Sequence, residues 1–308
     1  MDKSSRILVL GHRGLIGWAI HLKLMQQAYA PRHTDDRVES GEDALAILDD
    51  AEYVFCCAGV GGGIAKNLRE PATLASDTLH LLNCVLAAAH ANRVTRLIWF
   101  ACACVYPVLD RPATERDLWG GPLEPTSRAF AAATLAGIEL TRAYNEQHGT
   151  EFLALCPPTV YGPGDDFSED GHVLAAMIRK CHEAKAAGAP EVVFWGSGRQ
   201  RRQFLYVDDL AELTVQVMGM RSEAFRSLTP LLNAEGPSYQ LNDVAALVSE
   251  VVGYRGRIRW DANQPEGAPS KEIIGERGPD VFVTPLREGI KRTHECFVVG
   301  KEKCDGSA

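Results

Sequence analysis

Two textures alternate along the first half of the chain. Unbroken apolar runs at residues 7–10, 53–58, 97–101 and 152–156 read as strands covered on both faces. Between them, residues 15–25, 42–48, 71–91 and 126–145 carry apolar side chains three and four apart, as helices do. Strands alternating with helices predict an α/β protein with a Rossmann-like, doubly wound parallel sheet. One member of the series is weak: where a second strand belongs, Ala28-Tyr29-Ala30-Pro31-Arg32-His33-Thr34 has a proline in its middle.

From Asp165 the pattern changes. A loop rich in Asp, Ser and Gly leads to a helix at 172–187 and a strand at 192–195, and a strand running into a helix starts at Gln203. Short elements and Pro/Gly loops follow. The expected division is a dinucleotide-binding domain from residues 1–164 plus about 199–228, and a smaller substrate domain from 165–198 plus 229–308. The tail, residues 295–308, is polar at its end and expected to fray.

The first strand breaks into Gly11-His12-Arg13-Gly14-Leu15-Ile16-Gly17 and then a helix. Strand, glycine turn and helix in this order suit a pyrophosphate, because glycines let the backbone approach and the helix N-terminus offers unpaired N–H groups. The candidate cofactor residues are therefore Gly11, Arg13, Gly14, Leu15, Ile16 and Gly17, with Ala58 at the end of the third strand. Arg32 or Arg37 is placed to meet a 2′-phosphate, which would favour NADP(H) over NAD(H); both also suit a solvated loop. A second glycine-rich turn, residues 58–64, is expected to line the ligand crevice.

Composition narrows the classes. A net charge of −8 argues against nucleic acid and anionic membrane as partners. No apolar run reaches the roughly 18 residues of a membrane span, nor does a signal-peptide core precede the first strand, so a cytoplasmic location is expected. The nine cysteines show no spacing that reads as a metal site or disulfide framework, and Cys56, Cys57, Cys84, Cys156 and Cys181 lie in apolar patterns as small core residues.

Several stretches together resemble one family: GHRGLIG, VGGGIAKN, CVYP, LEPTS, YGPGDDF, HVLAAMI, VVFWGSG and RRQFLYVDDLA. The chain is similar along nearly its whole length to the GDP-L-fucose synthases, extended short-chain dehydrogenases that act on a GDP-linked 4-keto-6-deoxy sugar. The resemblance implies a homodimer formed through helices 71–91 and 126–145, a nucleotide-sugar ligand, and chemistry in two halves. A cysteine and a histidine epimerise the carbons beside the ketone, and a Ser, Tyr and Lys set supports reduction by NADPH.

Residue by residue, the likeness is divided. The epimerase pair falls on Cys104 and His172. The tyrosine falls on Phe130, the lysine on Thr134, and the serine stretch reads Ala101-Cys102-Ala103, without a hydroxyl. A missing general acid forfeits about 100- to 10,000-fold in rate, and here its supporting groups are missing too. Trp195, Arg202 and Lys271 match positions that hold the nucleotide and its phosphates, for which Arg is well suited. Thr159 stands where an Asn is usual, and Lys66 where a small residue is.

Three readings follow. The first is proton transfer on a GDP-linked keto sugar by Cys104 and His172, with the reductase half lost. The second is a pseudoenzyme that binds a nucleotide sugar or an active relative. The third is a repurposed site using Cys102, Lys66, Glu115, Tyr106 or Tyr161.

Overall fold

The computed structural model describes residues 1–59, 61–280 and 282–300; Val60 of the second glycine turn and tail residues 301–308 lie outside the described residues. The first half runs β1 (Ile7–Leu10), α1 (Leu15–Gln26), β2 (Arg32–Thr34), α2 (Gly41–Ile47), β3 (Tyr53–Cys56), α3 (Ile64–Arg69), α4 (Pro71–Ala91), β4 (Arg96–Phe100), α5 (Arg128–His148) and β5 (Phe152–Cys156). The second half runs β6 (Thr159–Tyr161), α6 (Val173–Ala186), β7 (Glu191–Trp195), β8 (Arg201–Tyr206), α7 (Val207–Met218), α8 (Ser222–Leu228), β9 (Leu231–Asn233), β10 (Ser238–Gln240), α9 (Leu241–Val252), β11 (Arg257–Asp261), β12 (Ser270–Lys271) and α10 (Leu286–Val299).

Six parallel strands in the order β2-β1-β3-β4-β5-β9 form the main sheet. Period-2 alternation sends Leu8 and Leu10 of β1 into one apolar layer, with α4 and α5, and Ile7 and Val9 into the other, with α1 and α7. Burial on both faces is why the central strands read as unbroken apolar runs. The poor second strand is real but short: three residues paired with β1 at the sheet edge, with two of their three side chains exposed. An edge position removes the need for an apolar pattern, which is why the sequence hid it. The sixth strand, β9, uses residues 231–233, just beyond the 199–228 stretch expected to return to this sheet.

A third apolar layer holds the remaining elements together, with Leu174, Met177 and Ile178 of α6 against Val244, Ala245 and Val248 of α9. Its small sheets pair β8 with β6, β10 and β12, and β7 with β11. Residues 295–299, expected in the frayed tail, instead continue α10, where Cys296 is buried. By length and composition α4 matches a membrane span, unlike the sequence expectation; in the fold its apolar side covers the sheet and α5 through Leu82, Val85 and Leu86.

At the N-terminal ends of β4 and β5 lies a buried ion pair. Arg96 Nε meets Glu151 Oε2 at 2.6 Å, with side chains 5% and 7% exposed. The same guanidinium donates to the carbonyls of Met218 and Met220 and to Ser222 Oγ, so one side chain ties β4 to the end of α7 and the start of α8. Burial alone would raise the Glu151 pKa, but hydrogen bonds and charge from Arg96, Ser222 and Arg226 bring it below the usual value. Arg96→Leu should therefore leave the buried carboxylate with only the exposed Arg226 as its charged partner and cost up to about 3–5 kcal/mol. Urea unfolding would show a lowered midpoint; a shift worth less than about 1 kcal/mol would mean that Arg226 or water compensates Glu151.

Candidate active site

The glycine turn is built by contact rather than by flexibility alone. Gly11 has φ +81°, and a Cβ there would lie 2.5 Å from the Ala58 nitrogen; a Cβ on Gly17 would overlap the Gly11 carbonyl oxygen. These approaches seat α1 directly against the end of β1. Gly14 is the N-cap, with no side-chain cap, so the first N–H groups of this helix, beginning at Leu15 and Ile16, face the crevice end of the sheet. The turn thus fits a dinucleotide pyrophosphate, which Gly11, Gly14, Leu15, Ile16 and Gly17 would hold. When bound, a nicotinamide dinucleotide supplies or accepts a hydride.

Sequence reasoning missed Asp35. It follows β2 directly and accepts from the Arg13 backbone N–H at 2.9 Å, while its other oxygen lies 2.8 Å from His12 Nδ1 and 3.2 Å from Arg13 Nε. The signal was an acidic residue about 20 positions beyond the glycine turn. Arg32, expected as a phosphate contact, donates from its guanidinium to the carbonyls of Ile47 and Asp49.

A second, open cleft lies between the sheet ends and the smaller unit. His172, Trp195, Arg202, Thr159 and Glu266 line it. Trp195 ends β7 and is 47% exposed, a large apolar face offered to the cleft. Register places Lys271 of β12 opposite Arg202 of β8, so two cations remote in sequence become neighbours. Burial and then the Arg202 guanidinium depress the Lys271 pKa; Glu124, itself fixed by Thr126 and Ser127, opposes this. Lys271 and Glu124 also line a small adjoining pocket together with Ala103. Paired cations beside an exposed indole suit a phosphorylated nucleoside. Lys66 lies outside this lining and packs its stem over Gly62.

His172 caps α6. The preceding Gly171 is obligatory because a Cβ would overlap the Asp166 carbonyl oxygen. The loop before it is tied to the second glycine turn by Gly63 N–H donating to the Asp170 carbonyl at 3.1 Å, and by a two-pronged Arg69–Asp170 pair. The ring reaches solvent in the cleft, yet the surrounding walls desolvate it enough to lower its pKa, with Asp166 opposing.

Cys104 differs from expectation. It sits in a short 3-10 turn, Ala103–Val105, is 7% exposed, and forms a disulfide with Cys102. No spacing rule pointed to this pair; the turn brings the two Cα atoms to 5.3 Å, within disulfide range. Phe130 and Thr134 stand one turn apart at the start of α5. Thr134 is 2% exposed; its hydroxyl donates to the Phe130 carbonyl and lies 3.7 Å from Cys102 Sγ. Of the other candidates, Tyr106 and Tyr161 are buried, which raises both phenol pKa values. Glu115 Oε1 accepts from Asn233 N–H, leaving Oε2 buried without a partner.

Fold, turn and cleft together define a dinucleotide-binding protein of the epimerase and dehydratase type. Residues 7–226 match the family model described as the NAD dependent epimerase/dehydratase family. The chain is 36% identical to "Probable GDP-L-fucose synthase 1" of Oryza sativa subsp. japonica, with 96% of this chain and 93% of the relative covered. It is 33% identical to the GDP-L-fucose synthase of Escherichia coli (strain K12), with 98% and 99% covered. A solved GDP-L-fucose synthetase from Naegleria fowleri bound to NADP superposes with a TM-score of 0.86 at 25% identity, covering 98% of this chain and 95% of that one. The chain belongs to the NAD dependent epimerase/dehydratase family, in its GDP-L-fucose synthase branch.

The lowered histidine pKa values have a definite sign. For His21, His172 and His294 the folded value lies below 6.5, so the unfolded chain takes up protons first as pH falls. Stability contributed by the neutral rings is full above pH 6.5 and is lost below it, down through the folded values. Urea midpoints measured from pH 7.5 to 5 should decline, and His172→Asn should decline less steeply; identical slopes would place His172 in bulk-like solvent.

Proposed function

We propose that this protein transfers protons on a nucleotide-linked keto sugar, with Cys104 and His172 as the acid–base pair and without conventional hydride transfer. The observation that carries this reading is the division of the site. The cleft retains Trp195, Arg202 and a histidine whose pKa burial lowers, with Lys271 beside Arg202, while Phe130 and Thr134 stand where a phenol and an amine would serve reduction. The relatives are GDP-L-fucose synthases by name, so a GDP-linked 4-keto-6-deoxy sugar is the substrate class proposed.

The chemistry needs only a base and an acid. A carbonyl acidifies the neighbouring C–H; the base removes that proton, the electron pair moves into an enolate, and the acid returns a proton to the same carbon from the other side. Neutral His172 can accept a proton. Cys104 can take part only as a thiol, so the Cys102–Cys104 bond has to be opened first by a thiol reductant, which forms its own disulfide in exchange. The homodimer expected through α4 and α5 is part of the same proposal.

With the reduced protein in D2O, deuterium should enter the sugar beside the keto carbon. Cys104→Ser and His172→Asn should each slow exchange about 100- to 10,000-fold, and the oxidised protein should be silent. Failure of the reduced protein to exchange any GDP-keto sugar would overturn the catalytic reading and leave binding without turnover, which the disulfide on Cys104 favours. Calorimetry tests the nucleotide subsite separately: Arg202→Ala should weaken GDP about 10- to 100-fold, the range for a lost charge-assisted contact. Unchanged affinity would remove Arg202 from the phosphate site.

A further inference from the structure

We propose that the dinucleotide pocket selects NAD(H) against NADP(H), and that Asp35 is the residue that decides it. Three observations carry the inference, all of them separate from the sugar cleft.

The first is position. Asp35 is the residue immediately after β2, at the crevice end of the strand next to β1, where a doubly wound sheet reads the adenosine ribose. Its carboxylate is fixed against the glycine turn by the Arg13 N–H at 2.9 Å, Arg13 Nε at 3.2 Å and His12 Nδ1 at 2.8 Å. A carboxylate held there accepts hydrogen bonds from a ribose 2′-hydroxyl. It meets a 2′-phosphate with like charge.

The second is the charge of the surrounding wall. Among the described residues lining this pocket, Asp35, Asp36, Glu39 and Asp77 are carboxylates, and Arg37 is the only lysine or arginine. Arg37, together with Arg13 paired to Asp35, does not offset four acids, and a 2′-phosphate brings about two further negative charges into the same space. Selectivity here arises from repulsion of the wrong ligand as much as from attraction of the right one.

The third is the employment of the remaining cations. Arg32 spends its guanidinium on the Ile47 and Asp49 carbonyls, and Arg13 is ion-paired with Asp35 itself. Both arginines are thus engaged with the protein's own oxygens. A relative of known structure binds NADP, so selection for NAD(H) would set this chain apart from that relative.

Binding by titration calorimetry on the full chain tests this directly, with NAD+, NADP+, 5′-AMP and adenosine 2′,5′-bisphosphate as probes. The two mononucleotides read the ribose subsite without any contribution from the nicotinamide end. NAD+ should bind at least about tenfold tighter than NADP+, and 5′-AMP tighter than the bisphosphate by a similar factor. Asp35→Asn keeps the shape and removes the charge, so it should collapse both ratios towards one. Asp35→Arg should invert them, with circular dichroism confirming that each variant is folded. Equal or tighter NADP+ binding, a ratio unmoved by Asp35→Asn, or no binding of any of the four probes would each overturn the proposal. Deuterium exchange on the keto sugar is measured without added dinucleotide, so either proposal can fail while the other stands.

Discussion

The structure depends on one steric constraint, the contact of the Gly11 carbonyl with the bare Cα of Gly17. With any side chain at position 17, α1 would have to move away from the end of β1. That displacement would tilt the helix whose N-terminus faces the crevice, and would also disturb Ala58, which presses on Gly11 from just beyond β3. Three neighbouring elements are thus registered by backbone contact, where a fraction of an ångström matters and no side chain can adjust. The sheet order follows from the same point, since β1 stands between β2 and β3 and carries the turn.

The two ends of the sheet are organised by different physics. At the N-terminal ends, Arg96 and Glu151 form a buried, multiply hydrogen-bonded cluster that joins β4, β5 and the α7–α8 corner. At the C-terminal ends there is no comparable clamp among the described residues. Instead glycine turns, the short turn at Ala103–Val105 and the loop ahead of His172 leave space. Rigidity behind and space in front is what a ligand crevice at strand ends requires. Asp209 of α7 extends the arrangement by accepting from the Thr284 N–H and hydroxyl, fastening the return segment ahead of α10 to the first unit.

How far the sequence discloses this differs from element to element. The central strands were legible because burial on two faces forces unbroken apolar runs. β2 was obscure because an edge strand of three residues has no such demand, and missing its end concealed Asp35 immediately beyond. Trp195, Arg202 and Lys271 could be singled out by resemblance to a family, but the parallel pairing of β8 with β12 that sets Lys271 beside Arg202 has no local signature. The Cys102–Cys104 bond was invisible for a different reason: two cysteines with one residue between them share a face of an extended strand at about 6.6 Å, and only the local 3-10 turn draws their Cα atoms in to 5.3 Å.

The start of α5 shows why chemistry at this site cannot be inferred from the fold. A backbone that would present a phenol and an amine presents a phenyl ring and a hydroxyl already committed to its own helix. Phe130 supplies an aromatic ring but has no proton to give. Thr134, nearly inaccessible and bonded to the carbonyl one turn back, carries no charge that could lower a neighbour's pKa. Thr134 also lies 3.7 Å from the Cys102 sulfur, a distance where the interaction is weak. Neither side chain can therefore give or take a proton as a phenol and an amine would, while His172 lines the cleft from the opposite unit. On the proposed reading, the fold keeps a nucleotide-sugar cleft and a dinucleotide turn side by side while the groups that would couple them are absent.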